Sequence, residues 1–235
     1  MVYVVGHRGA AGVLPENTLL GFRYAIELGC DYVECDVHRT RDGHLVVIHD
    51  PTVDRTTNGT GAVAELDFAT IRALDAGRGE RVPTLEEVLE TIRGRVRLLC
   101  ELKGEGVEEL TVETVRRLGM GDQVVLTSFH LDRLERVRRI APELRIGAIF
   151  SDPGDEDVRR AHELGAVGIG VHYRNLRLRT VQQAHELGME VRAWNPDTLP
   201  EMQAMIALGV DGISTNRPDL LIPYLRGGQG PAEAT

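Results

Sequence analysis

Short apolar runs alternate with helix-period segments along this 235-residue chain, and the segments share an ending. A helical stretch closes on Leu-Gly and a β-rich run follows: AIELG then CDYVECDV, VRRLG then DQVVLTS, AHELG then AVGIGVH, AHELG then MEVRAW, MIALG then VDGIST. Gly29, Gly119, Gly165, Gly188 and Gly209 each suit the left-handed position just past a helix end, which glycine adopts without a Cβ clash. The last three stand 23 and 21 residues apart, the length of one strand–helix unit. With the remaining apolar runs, strands are predicted at about 2–7, 31–37, 96–102, 123–128, 144–150, 166–171, 189–194 and 210–215, each followed by a helical pattern. Eight parallel strands alternating with eight helices make an α/β chain that closes most simply into a (β/α)8 TIM barrel, for which about 250 residues is an ordinary length. A doubly wound open sheet competes less well, because the early turn HRGAAG lacks the glycine spacing of a dinucleotide-binding loop.

One interval breaks the alternation. Residues 38–83 lie between the second strand and the second barrel helix, PTLEEVLETIRG, and are too long for an ordinary βα loop. Asp42-Gly43 reads as a hairpin turn into HLVVIHD, and TTNGTGAVAELDFATIRAL as a turn-rich stretch followed by a short helix. Residues 1–226 are therefore expected to form a single barrel with a small insertion at its catalytic end. The small, polar run GGQGPAEAT at 227–235 is expected to be a disordered tail.

Charge and composition narrow the function. A net charge of −9 argues against a nucleic-acid surface, which needs a basic stripe. No apolar stretch approaches 18 residues, so no stable membrane insertion is expected, and Val2–Val5 is too short for a signal segment. Cys30, Cys35 and Cys100 form no even disulfide framework and sit in or beside apolar runs, as reduced core cysteines would. A cytoplasmic enzyme, monomer or homodimer, with a small-molecule substrate is the expectation. Of the 27 basic residues only Lys103 is a lysine, so an ammonium at that position invites a chemical reason.

The candidate chemistry stands at the polar ends of the apolar runs: His7-Arg8 after VYVV, Glu34-x-Asp36 after DYV, His49-Asp50 after LVVI, Glu101-x-Lys103 after VRLLC. Side chains at i and i+2 of a strand point the same way, so Glu34 and Asp36 can converge on one cation, joined by Glu101. Three hard oxygens without a soft ligand suit Mg2+, or alternatively Ca2+, rather than zinc. Arg8 offers a planar fork to a phosphate and Lys103 a point charge. His7 and His49 are the candidate acid and base. Trp194, the only tryptophan, and Phe129 can stack on an apolar substrate face or pack in the core. Glu16 and Asn17 open the first helix, where Asn17 is either an N-cap or part of the site. His172 reads as an ordinary core or surface histidine, with a place at the mouth as the alternative because it ends the sixth strand, while the acidic run SDPGDEDV at 151–158 reads as a solvated helix start rather than a second metal site.

In order, HRG, PENT, E-x-D-V, DGHLVVIHDPTVDRTTNGTG, PTLEEVL, ELK, Thr127-Ser128-Phe129, Trp194 and the closing ST-x-RP of Ser214–Pro218 resemble the glycerophosphodiester phosphodiesterases over nearly the whole chain. The resemblance implies a metal-dependent TIM-barrel enzyme that hydrolyses deacylated phospholipids, such as glycerophosphocholine or glycerophosphoethanolamine, to sn-glycerol 3-phosphate and an alcohol. It also keeps in view a lysophospholipase D-type activity on lysolipids, which would need an exposed apolar rim. The chain departs from the family pattern after Trp194, where Asn195-Pro196-Asp197 replaces the more usual Trp-Thr-type run.

Overall fold

The structure, a computed structural model, describes residues 2–227. All but the first residue of the tail expected at 227–235 lies outside the described residues. The strands are β1 (Tyr3–Gly6), β2 (Tyr32–Arg39), β3 (Leu45–Val47), β4 (Arg97–Leu102), β5 (Val124–Ser128), β6 (Arg145–Phe150), β7 (Gly168–His172), β8 (Glu190–Trp194) and β9 (Gly212–Thr215). All but β3 run parallel, each to the next, and β1 pairs with both β2 and β9, which closes the ring and excludes an open sheet. The eight barrel strands lie within two residues of their predicted bounds. Between them run α1 (Leu19–Leu28), α2 (Phe68–Arg72), α3 (Leu85–Ile92), α4 (Glu108–Arg117), α5 (Leu131–Ile140), α6 (Asp155–Glu163), α7 (Leu178–Glu186), α8 (Leu199–Leu208) and α9 (Pro218–Leu225). Only α2 belongs to the insertion.

Helix boundaries follow local chemistry. The five Leu-Gly glycines have φ between 65° and 92° and reverse the chain after α1, α4, α6, α7 and α8. Thr84 and Thr198 cap α3 and α8, each within a capping box completed by Glu87 or Glu201. At α1 the capping residue is Thr18, whose hydroxyl accepts from the Gly21 amide, and not Asn17. Asn17 has a φ of 56° and is turned into the barrel.

The main apolar core lies between sheet and helices, where outward-facing Val33, Cys35, Leu98, Cys100, Leu126 and Ile169 meet Phe22, Val88, Leu89 and Leu134. Cys35 and Cys100 are partners in the β2–β4 ladder, and all three cysteines are buried and free. The inner face is different: Glu34, Asp36, Thr127, Arg192 and Ser214 are buried there beside Ile149 and a small apolar cluster of Val5, Tyr32, Leu99 and Val125. Burying polar groups inside the ring is costly unless they are paired or ligated, so the period-2 alternation already marks the interior as functional.

The insertion has its own core. β3 folds back antiparallel on β2, pairing Val47 with Val37, through a turn in which Gly43 has a φ of 90°. Beneath it Val46, Ile48, Val53, Val63, Ile71 and Val82 pack together, with Leu66 and Phe68 against them. No helix among the described residues is long and apolar enough to cross a membrane.

Candidate active site

The β2–β4 register places Asp36 directly beside Glu101, with Glu34 two residues back on the same face. Ligand oxygens from Glu34, Asp36 and Glu101 lie within 4.8 Å of one another, the only such acidic cluster among the described residues. Their environments diverge. Burial, reinforced by the charges of Asp36 and Glu101, lifts Glu34 well above the usual carboxylate range. Burial and Asp36 likewise push Glu101 up to about 7. Asp36 is buried as well, yet Arg8 and Lys103 beside it hold its carboxyl below its ordinary value. Glu34 Oε1 is buried without a hydrogen-bond partner. Crowded carboxylates, one with an unpartnered oxygen and two reluctant to ionise, fit a hard divalent cation that would neutralise them.

The basic groups flank this cluster. Lys103 Nζ stands 3.7 Å from both Asp36 and Glu101. Arg8 is held at a φ of 48°; its amide donates to Glu34 at 3.0 Å, and its guanidinium lies 3.4 Å from Asp36 and 3.1 Å from Glu16. Asn17 Nδ2 donates to Asp36 at 2.8 Å, so the residue supports the acidic cluster.

Each candidate histidine has one nitrogen tied to an acceptor. His7 Nδ1 is 2.7 Å from Asn216 Oδ1, and the Asn216 amide nitrogen donates to Asp197, which fixes the amide's orientation. His7 Nδ1 is therefore the protonated nitrogen, and Nε2 faces Glu34 at 3.7 Å. Burial and the charge of Arg8 push His7 down to about 4. His49 Nδ1 is 2.6 Å from Asp50 Oδ1, which assigns its proton in the same way. Arg55 donates to both oxygens of Asp50 and both of Glu16. A continuous chain of ion pairs, Arg8–Glu16–Arg55–Asp50, with His49 hydrogen-bonded at its end, thus joins the β1–α1 loop to the insertion. His38 Nε2, buried below, stands 3.2 Å from the His49 carbonyl.

A pocket of about 180 Å³ opens over these groups. One wall carries His7, Arg8, Glu34, His49 and Glu101; the other carries Phe129, Ile149 and Trp194. Phe129 and Trp194 meet edge to face at 5.5 Å. His172 also packs edge-on against Trp194, at 4.8 Å, behind that wall rather than in it. In the acidic run at 151–158, Asp157 caps α6 while Asp152 and Asp155 pair with Arg177 and Arg179, far from the carboxylate cluster in chain and contacts.

All nine expected site residues therefore converge at the C-terminal end of the barrel. Sequence reasoning did not reach Arg55, Asp197 or Asn216, whose contacts to Glu16, Thr215 and His7 join separate segments, read His38 as an ordinary core or surface histidine, and missed Arg192 in the pocket lining. Arg192 had a usable signal: in EVRAW it is two residues from Trp194 and so shares its inward face.

Comparison with known proteins agrees with this geometry. Residues 7–220 match the model of the glycerophosphoryl diester phosphodiesterase family. A glycerophosphodiester phosphodiesterase of Caldanaerobacter subterraneus subsp. tengcongensis is 38% identical, covering 96% of this chain and 98% of its own. A crystal structure of glycerophosphodiester phosphodiesterase from Agrobacterium tumefaciens superposes with a TM-score of 0.84 at 33% identity, over 94% of this chain and all of the other. A phosphodiesterase of Oleispira antarctica in complex with the product sn-glycerol-3-phosphate has a TM-score of 0.87 at 29% identity, over 92% and 93% of the two chains. A closed barrel with its polar groups gathered at one end, a family match across most of its length and relatives aligned nearly end to end lead to one conclusion: the chain belongs to the glycerophosphoryl diester phosphodiesterase family.

Proposed function

We propose that the protein hydrolyses glycerophosphodiesters, such as glycerophosphocholine or glycerophosphoethanolamine, to sn-glycerol 3-phosphate and an alcohol, in a reaction dependent on a divalent metal, Mg2+ or alternatively Ca2+. The observation that carries this reading is the pairing of one carboxylate cluster with two histidines, each with Nδ1 committed to an acceptor and Nε2 left for the substrate. Glu34, Asp36 and Glu101 would hold the ion, which supplies charge neutralisation to the phosphoryl oxygens. Arg8 and Lys103 add donors to the same phosphate. His7, kept neutral by burial and Arg8, takes the proton of the attacking oxygen, either a water or a glycerol hydroxyl; in the second case the cyclic phosphodiester formed as the alcohol leaves is opened by a water to give sn-glycerol 3-phosphate. His49 delivers a proton to the leaving alkoxide, since Asp50 faces its ring with a full negative charge able to support an imidazolium. Phe129 and Trp194 provide an apolar wall for the carbon side of glycerol.

Action on lysolipids is less well supported. Leu66, Phe68 and Ile71 of the insertion pack into its own core, and Phe129, 39% exposed, is the one large apolar side chain standing open beside the pocket among the described residues. The test is to strip the protein of metal, incubate it with glycerophosphocholine, glycerophosphoethanolamine and a lysolipid, restore Mg2+ or Ca2+ in turn, and measure glycerol 3-phosphate and lysophosphatidate. Glycerol 3-phosphate formed only with metal is expected. Full activity in excess chelator, or lysophosphatidate as the main product, would refute the assignment.

A further inference from the structure

Below the catalytic groups, at the other end of the barrel, lies a second cavity of about 160 Å³. Its walls are the first inward residues of the strands, among them Tyr3, Arg97, Arg145 and Glu190, with Thr127 and Arg192 further in. It exists because β6 and β7 present glycines inward. Gly147, Gly168 and Gly170 line it, and a Cβ at Gly170 would come within 2.7 Å of the Arg192 guanidinium.

The charge in this cavity is unbalanced. Arg192 is only 7% exposed, its Nε has no hydrogen-bond partner, and none of the ion pairs among the described residues includes it. Arg97 is held by the neutral Tyr32 hydroxyl at 3.0 Å, and Arg145 by the Asp122 carbonyl. Among the residues that line the cavity, three guanidinium groups face one glutamate, Glu190, while Glu101 lies above Arg192 in the catalytic pocket without pairing with it. Asp31 and Asp211, near the same rim, are engaged by the Val4 and Val191 amides. Thr127 is 2% exposed and its hydroxyl also lacks a partner. Arginine cannot shed its proton, so a buried guanidinium with no hydrogen-bonded or ion-paired partner carries a standing cost that a small anion seated against it would relieve.

We propose that this N-terminal cavity binds a small oxyanion of the size of inorganic phosphate, with Arg192 and the Thr127 hydroxyl as its innermost donors and Arg97 and Arg145 at its rim. The site is separate from the carboxylate cluster and does not depend on the hydrolytic reading. Arg192 also borders the catalytic pocket, so among the described residues it is the one that lines both compartments.

The experiment titrates inorganic phosphate, at constant ionic strength, into the full-length protein and its Thr127→Val and Arg192→Leu variants by calorimetry, and locates the ion in crystals soaked in phosphate. Two binding events are expected in the unaltered protein, with a tetrahedral anion in the lower cavity. One event should be absent in Arg192→Leu and weakened about 10-fold in Thr127→Val, the scale of one hydrogen bond to a charged group. Thr127→Val removes only an unpartnered hydroxyl, so its phosphate-free melting temperature should match or exceed the parent's, which separates lost binding from misfolding. Identical isotherms for all three proteins, or an anion seen only among the catalytic groups, would overturn the proposal.

Discussion

His7 and His49 are presented to the pocket in the same way but by unlike partners: a neutral amide in one case, a carboxylate clamped by Arg55 in the other. This difference predicts unequal sensitivity. Asp50→Asn should lower kcat by about 10²-fold or more, the usual scale of a general acid–base contribution, with little change in KM. A variant retaining most of its kcat would remove Asp50 from the proton-transfer assembly. Lys103→Met should likewise cost about 10²-fold in kcat, the scale of one preorganised charge donor, while the melting temperature moves little. A loss confined to stability would make the lysine structural. The sequence made Glu34–Asp36 and His49–Asp50 legible because those pairs are local, resting on strand alternation or adjacency. Asn216 and Arg55 were hidden because their contacts to His7 and Glu16 span 209 and 39 residues, and no period in the chain encodes such a meeting.

The insertion is fastened to the barrel through α3. Glu87 closes the capping box of that helix and also takes a bidentate pair from Arg72 of α2. Thr84→Ala, which removes the cap alone, should cost about 1 kcal/mol. Glu87→Ala removes both functions; it should destabilise at least as much and, unlike Thr84→Ala, speed limited proteolysis between residues 51 and 83. Equal proteolysis of the two variants would mean that Arg72–Glu87 does not restrain the insertion. Here the hairpin at Asp42-Gly43 and the helix at α2 were readable from turn chemistry and apolar spacing. The three-residue 3-10 turn Val63–Glu65 was not, since so short a unit leaves no periodic signal. Likewise, a competent N-cap at Asn17 was displaced to Thr18 because the asparagine is drawn onto Asp36.

The barrel carries its acids at a cost that pH should expose. In metal-free protein Glu34 and Glu101 hold protons in the folded state that the unfolded chain releases, so stability falls as pH rises through the raised value of about 7 for Glu101. His7, pushed down to about 4, acts in the opposite sense, but only between about 4 and its ordinary 6.5. Above 6.5 the carboxylates act without that offset. The melting temperature of chelated protein should therefore decline as pH rises from about 5 to about 7, most steeply above 6.5 where His7 no longer offsets it, at up to about 1.4 kcal/mol per pH unit for each retained proton, and Mg2+ or Glu34→Gln should flatten the decline. A flat profile in chelator would contradict the crowding of the three acids. The closure of β1 against β9 has a further bearing on how the protein is made. On the ribosome β1 emerges well before its partner β9 and the Asn216 that faces His7, which follow some 209 residues later. Until then one edge of β1 is unpaired, a surface that invites aggregation, and the His7 imidazole is unaimed. A nascent or truncated chain lacking β9 is thus expected to be inert as well as vulnerable, and hydrolytic competence becomes a report that the ring of strands has closed.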